Sequence, residues 1–338
     1  MDGRSAFGAM LRTMTAYHSI DRGLGTPFVD AFRFLWMVND RYAPKTLYKY
    51  CKGDKLDRTL GDLAKGRLYL SNPARFNDAR DVLPTYDSEA IEQRMSVAVN
   101  EYNMTSTFDF YRQFYGDKID LAIDYYRKWV KRAGGFDRWK VQRINESISG
   151  LRNSLIQFRE HPRCACLSQS NSNGMMWGQY AQNGEGFVIE YETPNRDASC
   201  LCANCCENCG AVPFMLVPIQ YAGRVDFSVF SDVLTGSQAP IPYLTEHYYL
   251  ALLNAVAYKE RVWEHEEEWR IVTHACPKAK DSQMYVKVKP TALYLGKGVK
   301  QESFEALYDA ACRLNLSVFI EEETFTVDSS GVAFQRIR

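Results

Sequence analysis

The spacing of apolar residues divides the chain into one helical stretch flanked by two strand-rich stretches. Between Asp87 and Arg159 the apolar residues recur every three to four positions, which predicts several amphipathic helices. Before and after this stretch they come in short runs rich in Tyr, Val, Ile and Leu and bounded by Gly, Pro, Asn or Asp, as is typical of β-strands. Strands on both sides of a helical block favour one α+β fold with a helical insertion over two independent domains.

Five predicted elements are central to the expected fold. Strands are predicted at Leu47–Tyr50, Arg67–Ser71 and Glu267–His274, a long apolar helix at Thr245–Trp263 and an amphipathic helix at Gln301–Leu314.

We expect residues 1–46 to form an N-terminal helical extension, because Thr26-Pro27 has the residues favoured at an N-cap and at the first helical position. Residues 47–338 are then a single α+β domain with a mixed, mostly antiparallel sheet. Within this domain lie a helical insertion at 87–160 and a cysteine-rich loop at 199–210.

The charge balance and the N-terminal sequence narrow the cellular setting. Lys plus Arg and Asp plus Glu both total 41, so no global charge attracts the chain to nucleic acid or an anionic membrane, although local basic patches remain open. The N-terminus lacks the apolar segment of a secretory signal. The apolar run Phe32–Val38 is interrupted by Arg33 and is far shorter than a membrane span. We therefore expect a cytoplasmic protein with no membrane partner.

Five cysteines lie within ten residues, from Cys200 to Cys209. Two C-x-x-C pairs are present, Cys202 with Cys205 and Cys206 with Cys209. Four thiolates from two such pairs can hold one tetrahedral zinc ion. Such a zinc would be structural, because no histidine or acidic ligand leaves an open coordination position. The alternative is a surface loop with free thiols.

The sequence Glu266-Glu267-Glu268-Trp269-Arg270 is the most informative stretch for chemistry. In a strand, Glu266, Glu268 and Arg270 would share one face, since residues two apart point the same way. Neighbouring carboxylates raise one another's pKa and stabilise a developing cation, such as the oxocarbenium-like state of glycosidic cleavage. The alternative is that the two glutamates form a solvated charged edge with Arg270, or with Lys259 and Arg261.

A series of short motifs follows in order along the chain from Leu47 to Ile320. They are LYKY at 47–50, LYLSNPxxFND at 68–78, CLS at 166–168, MWGQYA at 176–181, GFVIEY at 186–191, VPIQY at 217–221, WxxExEWR at 263–270 and PxxLYLG at 290–296. Together they resemble an uncharacterised bacterial family, a domain of unknown function. One departure is that the family usually continues Asn-Asp with Pro and an aromatic residue, where this chain has Ala79-Arg80-Asp81.

A second resemblance concerns chemistry. A basic residue on a first strand, a serine on a second and E-x-E on a later strand are similar to the arginine–serine–glutamate pattern of ADP-ribosyltransferases, which cleave NAD at the nicotinamide bond. The resemblance implies that Lys49 contacts the NAD phosphates or ribose and that Ser71 braces the nicotinamide end. Glu268 would bind the ribose and stabilise the oxocarbenium ion, and Glu266 would orient or deprotonate the acceptor.

The same resemblance implies that Tyr48, Tyr50 or Tyr69 stacks on nicotinamide. Lys49 departs from the pattern, because lysine lacks the bidentate phosphate recognition of arginine. The expected function is thus an NAD-dependent ADP-ribosyltransferase-like enzyme, with NAD as co-substrate and protein, RNA or DNA as acceptor. Its setting would be a bacterial toxin or anti-phage defence effector, with an antitoxin or regulatory partner.

Two other functions remain open from the sequence. A metal-dependent nuclease or nucleotide hydrolase would use Asp78, Glu266 and Glu268 to hold a divalent ion. A non-enzymatic binding module would combine the zinc-stapled loop with an aromatic pocket.

Overall fold

The computed structural model describes residues 3–20, 41–78, 80–82, 85–160, 162–194, 200–202, 214–222, 250–274, 283–322 and 332–338. The chain divides into two compact units. The first, which we call the sheet unit, combines ranges 1–83, 159–224 and 252–338, and the second, the helical unit, combines 84–158 and 225–251. Of the helix expected after Thr26, only residues 41 and 42 lie within the described ranges, and both are helical.

Eleven strands are described, all of them in the sheet unit. They are β1 (Thr46–Cys51), β2 (Arg67–Leu70), β3 (Pro162–Ser168), β4 (Phe187–Glu192), β5 (Cys200–Cys202), β6 (Met215–Pro218), β7 (Glu268–His274), β8 (Met284–Lys287), β9 (Lys289–Leu295), β10 (Ser317–Glu321) and β11 (Phe334–Arg336).

Eight strands form the main sheet, in the order β11-β10-β9-β4-β1-β3-β7-β6. All neighbours in it are antiparallel except β9 and β10. These two are parallel because the chain returns through a helix between them. The predicted α+β class with a mixed, mostly antiparallel sheet is therefore confirmed. The strands β2, β8 and β5 form a smaller antiparallel sheet.

The described helices, in chain order, are α1 (Gly3–Ile20), α2 (Leu56–Ala64), α3 (Ser88–Ala98), α4 (Glu101–Tyr115), α5 (Ile119–Ala133), α6 (Phe136–Glu160), α7 (Gly174–Tyr180), α8 (residues 250–257) and α9 (Gln301–Leu314). The α9 helix begins and ends where the sequence predicted. Helix α1 lies within residues 1–46, where a helical extension was expected, although the sequence analysis placed a helix there only from Thr26 onwards. Within the described ranges, no helix has both the length and the apolar character that crossing a bilayer requires.

The predicted helix from Thr245 to Trp263 is too long. Helix α8 ends at residue 257, and residues 245–249 lie outside the described part of the chain. The chain leaves the helix because its backbone pairs with Gln220, whose N–H donates to the Ala257 carbonyl (2.6 Å) and whose carbonyl accepts from Lys259 N–H (3.1 Å). A short 3₁₀ helix, Arg261–Glu266, then leads into β7.

The two faces of the main sheet have different environments, because successive strand residues point to opposite sides. One face carries Leu47, Ile189 and Ile271 and packs against the smaller sheet and helices α2 and α9 as the main hydrophobic core. The opposite face carries Tyr50 and Val188, which contact helix α7. Full burial of each such aliphatic or aromatic side chain contributes about 1.5–3 kcal/mol to folding.

The helical unit contains α3 to α6, whose ends follow ordinary capping rules. The Asp87 carboxylate accepts from the N–H groups of Glu89 (2.9 Å) and Ala90 (3.2 Å), and so caps α3. The Asn100 side chain caps α4 in the same way. Gly134, at φ 85°, ends α5 in the left-handed conformation that glycine adopts most readily.

Candidate active site

Five charged side chains meet in the interior of the sheet unit. They are Asp81, Lys259, Glu266, Glu268 and Arg270, which we call the buried charge cluster. Arg270 is fully buried, and both glutamates are 3% exposed. Because burying an isolated charge is costly, each member depends on the others for hydrogen bonds and charge compensation.

Arg270 lies at the centre of the cluster. Its Nε donates to Glu268 Oε1 (2.7 Å), and its Nη2 donates to both carboxylate oxygens of Asp81 (2.9 and 2.7 Å) and to Glu268 Oε2 (3.1 Å). The Nη1 group donates to the carbonyl of Val256 (3.1 Å). The guanidinium is therefore held on three sides, which fixes its position.

Lys259 bridges all three carboxylates. Its Nζ lies 2.5 Å from Glu266 Oε2, 3.1 Å from Glu268 Oε2 and 3.6 Å from Asp81 Oδ2. The ammonium thus stands where an acidic metal site would hold its cation. Lys259 reaches this position because the chain turns at residue 257 instead of continuing as a helix.

Glu266 and Glu268 approach the cluster from two different elements. Glu268 and Arg270 alternate on β7 and share a face, as predicted. Glu266 does not share a strand face with them, because it ends the 3₁₀ helix and β7 begins at Glu268, one residue after the predicted start of the strand. Between them Glu267 is left-handed (φ 47°, ψ 43°), a conformation uncommon for residues other than glycine. This residue directs its own side chain to solvent and both neighbours inward.

Asp81 was missed by the sequence analysis. It ends a turn in which its N–H donates to the Asp78 carbonyl (3.1 Å), and the Asp78 carboxylate accepts from Arg80 N–H (2.8 Å). Asp81 belongs to the segment in which the chain departs from the family pattern. That departure was the one sequence feature that pointed to Asp81, because an acidic residue in place of the usual Pro and aromatic residue indicates a basic partner elsewhere in the fold.

The two glutamates have opposite pKa shifts. Burial and the neighbouring Glu268 carboxylate raise the pKa of Glu266 above its ordinary 4.5, against the opposing effect of Lys259. Burial also disfavours a charged Glu268, but Arg270 and Lys259 outweigh it and hold the pKa of Glu268 well below its ordinary value. Lys259 is buried too, yet Glu268 and Asp81 raise its pKa. Of the two glutamates, Glu266 is therefore the one that more readily accepts a proton.

Glu266 is also linked to the protein surface by a chain of side-chain hydrogen bonds. Its Oε1 accepts a hydrogen bond from the Tyr180 hydroxyl (2.7 Å), which in turn accepts one from Asn77 Nδ2 (3.2 Å). Tyr180 is half-buried and Asn77 is exposed. The half-buried Trp263 ring lies 5.0 Å from Lys259 Nζ. Hydrogen bonds through Tyr180 and Asn77 therefore connect Glu266 to solvent. The rings of Tyr180 and Trp263 lie next to Glu266 and Lys259, respectively.

The predicted NAD-binding residues lie at different places around the sheet. Tyr48 is opposite Ser168, and Ser168 is opposite Glu268, so Tyr48 stands on the face of Glu268 about 10 Å away across two strands. Tyr50 shares this face, and its hydroxyl donates to the Ser170 carbonyl (3.0 Å). Lys49 alternates with both tyrosines and starts on the opposite face, where its Nζ donates to the Cys166 carbonyl (2.9 Å).

Tyr69 and Ser71 are not at the buried charge cluster. Tyr69 lies on β2 of the smaller sheet, with the Arg58 guanidinium 3.9 Å above its ring. Ser71 follows β2 and pairs through its backbone with Cys164 of β3. The structure therefore brings Glu266 and Glu268 together, and it does not place Lys49, Tyr69 or Ser71 beside them.

The predicted metal ligands fall largely beyond the described residues. Cys202 ends β5, whereas Cys205, Cys206 and Cys209 lie outside the described ranges. The third carboxylate expected for a divalent ion, Asp78, caps its own turn, and Asp81 occupies the cluster instead. Among the described residues no group of three or more His, Cys, Asp or Glu side chains is arranged to hold a metal ion.

The fold and the site together define a class of protein. It is an α+β protein with a mostly antiparallel sheet. Two buried glutamates, Glu266 and Glu268, have pKa values shifted in opposite directions and are hydrogen-bonded to a buried lysine and a buried arginine. Residues 176–271 match the model of a family described as a protein of unknown function (DUF2971), which confirms the resemblance to an uncharacterised domain family. All of the cluster except Asp81 lies inside the matched segment. No curated protein and no solved structure matches the chain.

Proposed function

We propose that the sheet unit is an NAD-consuming enzyme of the ADP-ribosyltransferase type, with Glu266 as its proton-transfer group. The observation that carries the proposal is the carboxylate pair whose environments push the two pKa values in opposite directions. Pairs of this kind mark acid and base assignments in active sites. The resemblance of the E-x-E sequence to that of ADP-ribosyltransferases supplies the substrate class.

In the proposed reaction the bond between the ribose C1′ and the nicotinamide nitrogen breaks, and its electron pair neutralises the pyridinium. The ribose is left as an oxocarbenium ion, which the ionised Glu268 stabilises through the electric field of its fixed carboxylate. The acceptor's nucleophile then bonds to C1′, and its proton passes to Glu266. The Tyr180 hydroxyl orients the Glu266 carboxylate, and Trp263 and Tyr180 offer faces on which nicotinamide can stack.

The role proposed here for Glu268 differs from the one that the resemblance implied, which was a direct hydrogen bond to the ribose. Both oxygens of Glu268 already accept hydrogen bonds from Arg270, and Oε2 also accepts one from Lys259. Glu268 is also only 3% exposed, so a direct hydrogen bond to ribose would require these contacts to rearrange. Field stabilisation by Glu268 and proton transfer by Glu266 fit these contacts better.

The contacts of Lys259 argue against the alternative of a metal-dependent hydrolase. A divalent ion bound by Asp81, Glu266 and Glu268 would have to displace an ammonium that lies within 3.6 Å of all three. Two protein cations already compensate most of the charge of the three carboxylates, and we therefore favour metal-independent chemistry.

The test compares Glu266→Gln with its exposed neighbour change Glu267→Gln as a matched control. Purified protein is incubated with NAD, with and without cell lysate as a source of acceptor, and nicotinamide release is measured with EDTA present. We expect release by the unmodified protein and by Glu267→Gln, and a rate at least about 100-fold lower for Glu266→Gln. Equal rates for both variants, or no release from NAD in any condition, would refute the proposal. Loss of activity with EDTA would instead favour the metal-dependent hydrolase.

Two accessory proposals rest on the sequence. We propose that Cys202, Cys205, Cys206 and Cys209 hold a structural zinc ion, for which metal analysis should find about one zinc per chain. We also propose a toxin or anti-phage effector role, with an antitoxin or regulatory partner in the same cell. Expression of the unmodified chain should then slow host growth, and expression of Glu266→Gln should not.

A further inference from the structure

The α5–α6 hairpin concentrates positive charge in a chain that is balanced as a whole. Residues 125–143 contain seven Lys and Arg residues and one acidic residue, Asp137. The preceding residues 86–124 contain eight acidic and three basic residues. Charge is thus segregated along the helical unit, and the segment around the Gly134 turn is its basic part.

Aromatic side chains are exposed among these cations. Leu121, Tyr125, Lys128, Trp129 and Arg132 repeat at intervals of three and four, which places them on one face of α5. Tyr125 is 62% exposed and Trp129 is 49% exposed. Lys128 Nζ lies 5.8 Å from the Tyr125 ring centroid.

A cation from the second helix of the hairpin reaches the same surface. Arg143 Cζ, on α6, lies 5.8 Å from the Trp129 ring centroid. Each exposed ring therefore has a cation beside it. We call Tyr125, Lys128, Trp129, Arg132 and Arg143 the aromatic–basic stripe.

The core of the hairpin does not need these exposed rings. On the inner side of α5, Tyr126 packs edge-to-face on Trp139 (5.1 Å between ring centroids) and contacts Phe108 (5.4 Å). Basic residues in the last turn also stabilise a helix by complementing its dipole, which accounts for Lys131 and Arg132. Among the described residues, neither packing nor capping accounts for Tyr125 and Trp129, whose exposed apolar surface is typical of a binding site.

We infer that the aromatic–basic stripe binds single-stranded nucleic acid. Cations at this spacing attract phosphates, and exposed aromatic rings stack on unpaired bases, a combination that does not depend on base sequence. Duplex DNA is a poorer match, because its bases are already stacked on one another. An anionic membrane would favour a continuous apolar face instead of rings alternating with cations. The inference does not depend on the proposed enzymatic function.

The test measures the affinity of the full chain for fluorescently labelled oligonucleotides of about 20 nucleotides, as RNA and as DNA, at several salt concentrations. A charge variant combines Lys128→Gln, Arg132→Gln and Arg143→Gln, the three cations of the stripe. Its control removes three exposed lysines of the sheet unit, through Lys52→Gln, Lys65→Gln and Lys300→Gln. A stacking variant combines Tyr125→Ala and Trp129→Ala, which leaves every charge in place.

We expect the charge variant to bind at least about tenfold more weakly and to lower the slope of log Kd against log salt by about 2, since three phosphate contacts are lost. The stacking variant should also bind about tenfold more weakly, with its salt slope unchanged. The control should bind like the unmodified chain. Parallel measurements with RNA and with DNA oligonucleotides show which of the two the stripe binds, and binding of either one supports the inference.

Three outcomes would overturn it. They are no binding of either oligonucleotide at about 50 mM salt, equal affinities of the charge variant and its control, and binding to phosphatidylserine vesicles in place of oligonucleotides. Circular dichroism of each variant shows whether α5 remains folded. If the charge variant has lost helix, the stacking variant decides the matter alone.

Discussion

Arg270 shows what a fully buried guanidinium requires from its surroundings. Its Nε, Nη1 and Nη2 groups all donate hydrogen bonds, and two carboxylates compensate its charge. Replacing such a pair entirely by apolar groups can be nearly neutral for stability. Removing one member alone is costly, because the charges that remain are buried without compensation.

We expect Arg270→Met to lower the free energy of unfolding by about 3–5 kcal/mol, because it leaves Asp81 and Glu268 facing only Lys259. The control is Lys289→Met, which breaks an ion pair with Glu192 (2.8 Å) whose two side chains are exposed. That pair should contribute less than about 1 kcal/mol. Urea denaturation measures both values, and similar losses in the two variants would contradict the burial argument.

The opposite pKa shifts predict opposite pH dependences. The folded pKa of Glu268 lies below 4.5, so its stabilising contribution is present above 4.5 and is lost as the pH falls. The folded pKa of Glu266 lies above 4.5, so the folded chain holds more protons than the unfolded chain in the window just above 4.5. The contribution of Glu266 to stability therefore declines as the pH rises through that window.

Glu266→Gln has no such titration, and its stability should therefore rise relative to the unmodified chain as the pH increases from 4.5 to neutral. Urea denaturation at a series of pH values measures this difference. A constant or falling difference for Glu266→Gln would show that its folded pKa is not raised.

At the scale of single elements, the left-handed residue Glu267 determines how the site is assembled. Its backbone reverses the chain between the 3₁₀ helix and β7, and its N–H donates to the Glu264 carbonyl (3.2 Å). Without this reversal, Glu266 would follow the alternation of β7 and could not receive both Lys259 and Tyr180. Strained backbone is often retained at functional sites for such reasons.

We expect Glu267→Val to destabilise the protein by about 1–2 kcal/mol, because a β-branched residue tolerates the left-handed conformation poorly. Glu267→Gly should be neutral or slightly stabilising, since glycine adopts this conformation without a steric cost. Thermal unfolding of the two variants measures the contrast. Equal effects of Val and Gly would mean that the φ of Glu267 is not left-handed in solution.

Elements with strong local signals could be predicted from the sequence, and those that depend on distant contacts could not. Helix α9 has a clear apolar period and was predicted at both ends. The end of α8 depends on pairing with Gln220, and the Arg270–Asp81 pair spans 189 positions, so neither leaves a local trace. Strand alternation alone predicts that Lys49 and Tyr48 lie on opposite faces of the sheet. That pattern could have shown that Lys49 and Glu268 do not share a face.

At the scale of the whole molecule, the buried charge cluster and the aromatic–basic stripe belong to different compact units. Each unit has a core of its own. Buried Trp139 packs with Tyr126 and Phe136 in the helical unit, whereas Ile271 and Leu293 belong to the core of the sheet unit. Units of this kind commonly open separately.

We expect Trp139→Ala to speed backbone hydrogen exchange across residues 85–158 and to leave β3 and β7 protected, because the lost packing of about 3–5 kcal/mol belongs to one unit. Arg270→Met should show the reverse pattern. Mass spectrometry of deuterium uptake resolves the two regions. If each variant accelerates exchange throughout the chain, the two units unfold as one.

The position of Lys259 among three carboxylates also bears on how such a site could evolve. Substitution of this one side chain by alanine would leave a hole the size of the deleted aminopropyl group, lined by carboxylates at its inner end and next to an arginine that cannot move into it. A small amine such as propylammonium could fill that hole from solution. A lysine-centred carboxylate site and one that recruits a soluble cation are thus separated by a single residue, and divergent members of such a family could exchange one for the other without rebuilding the sheet.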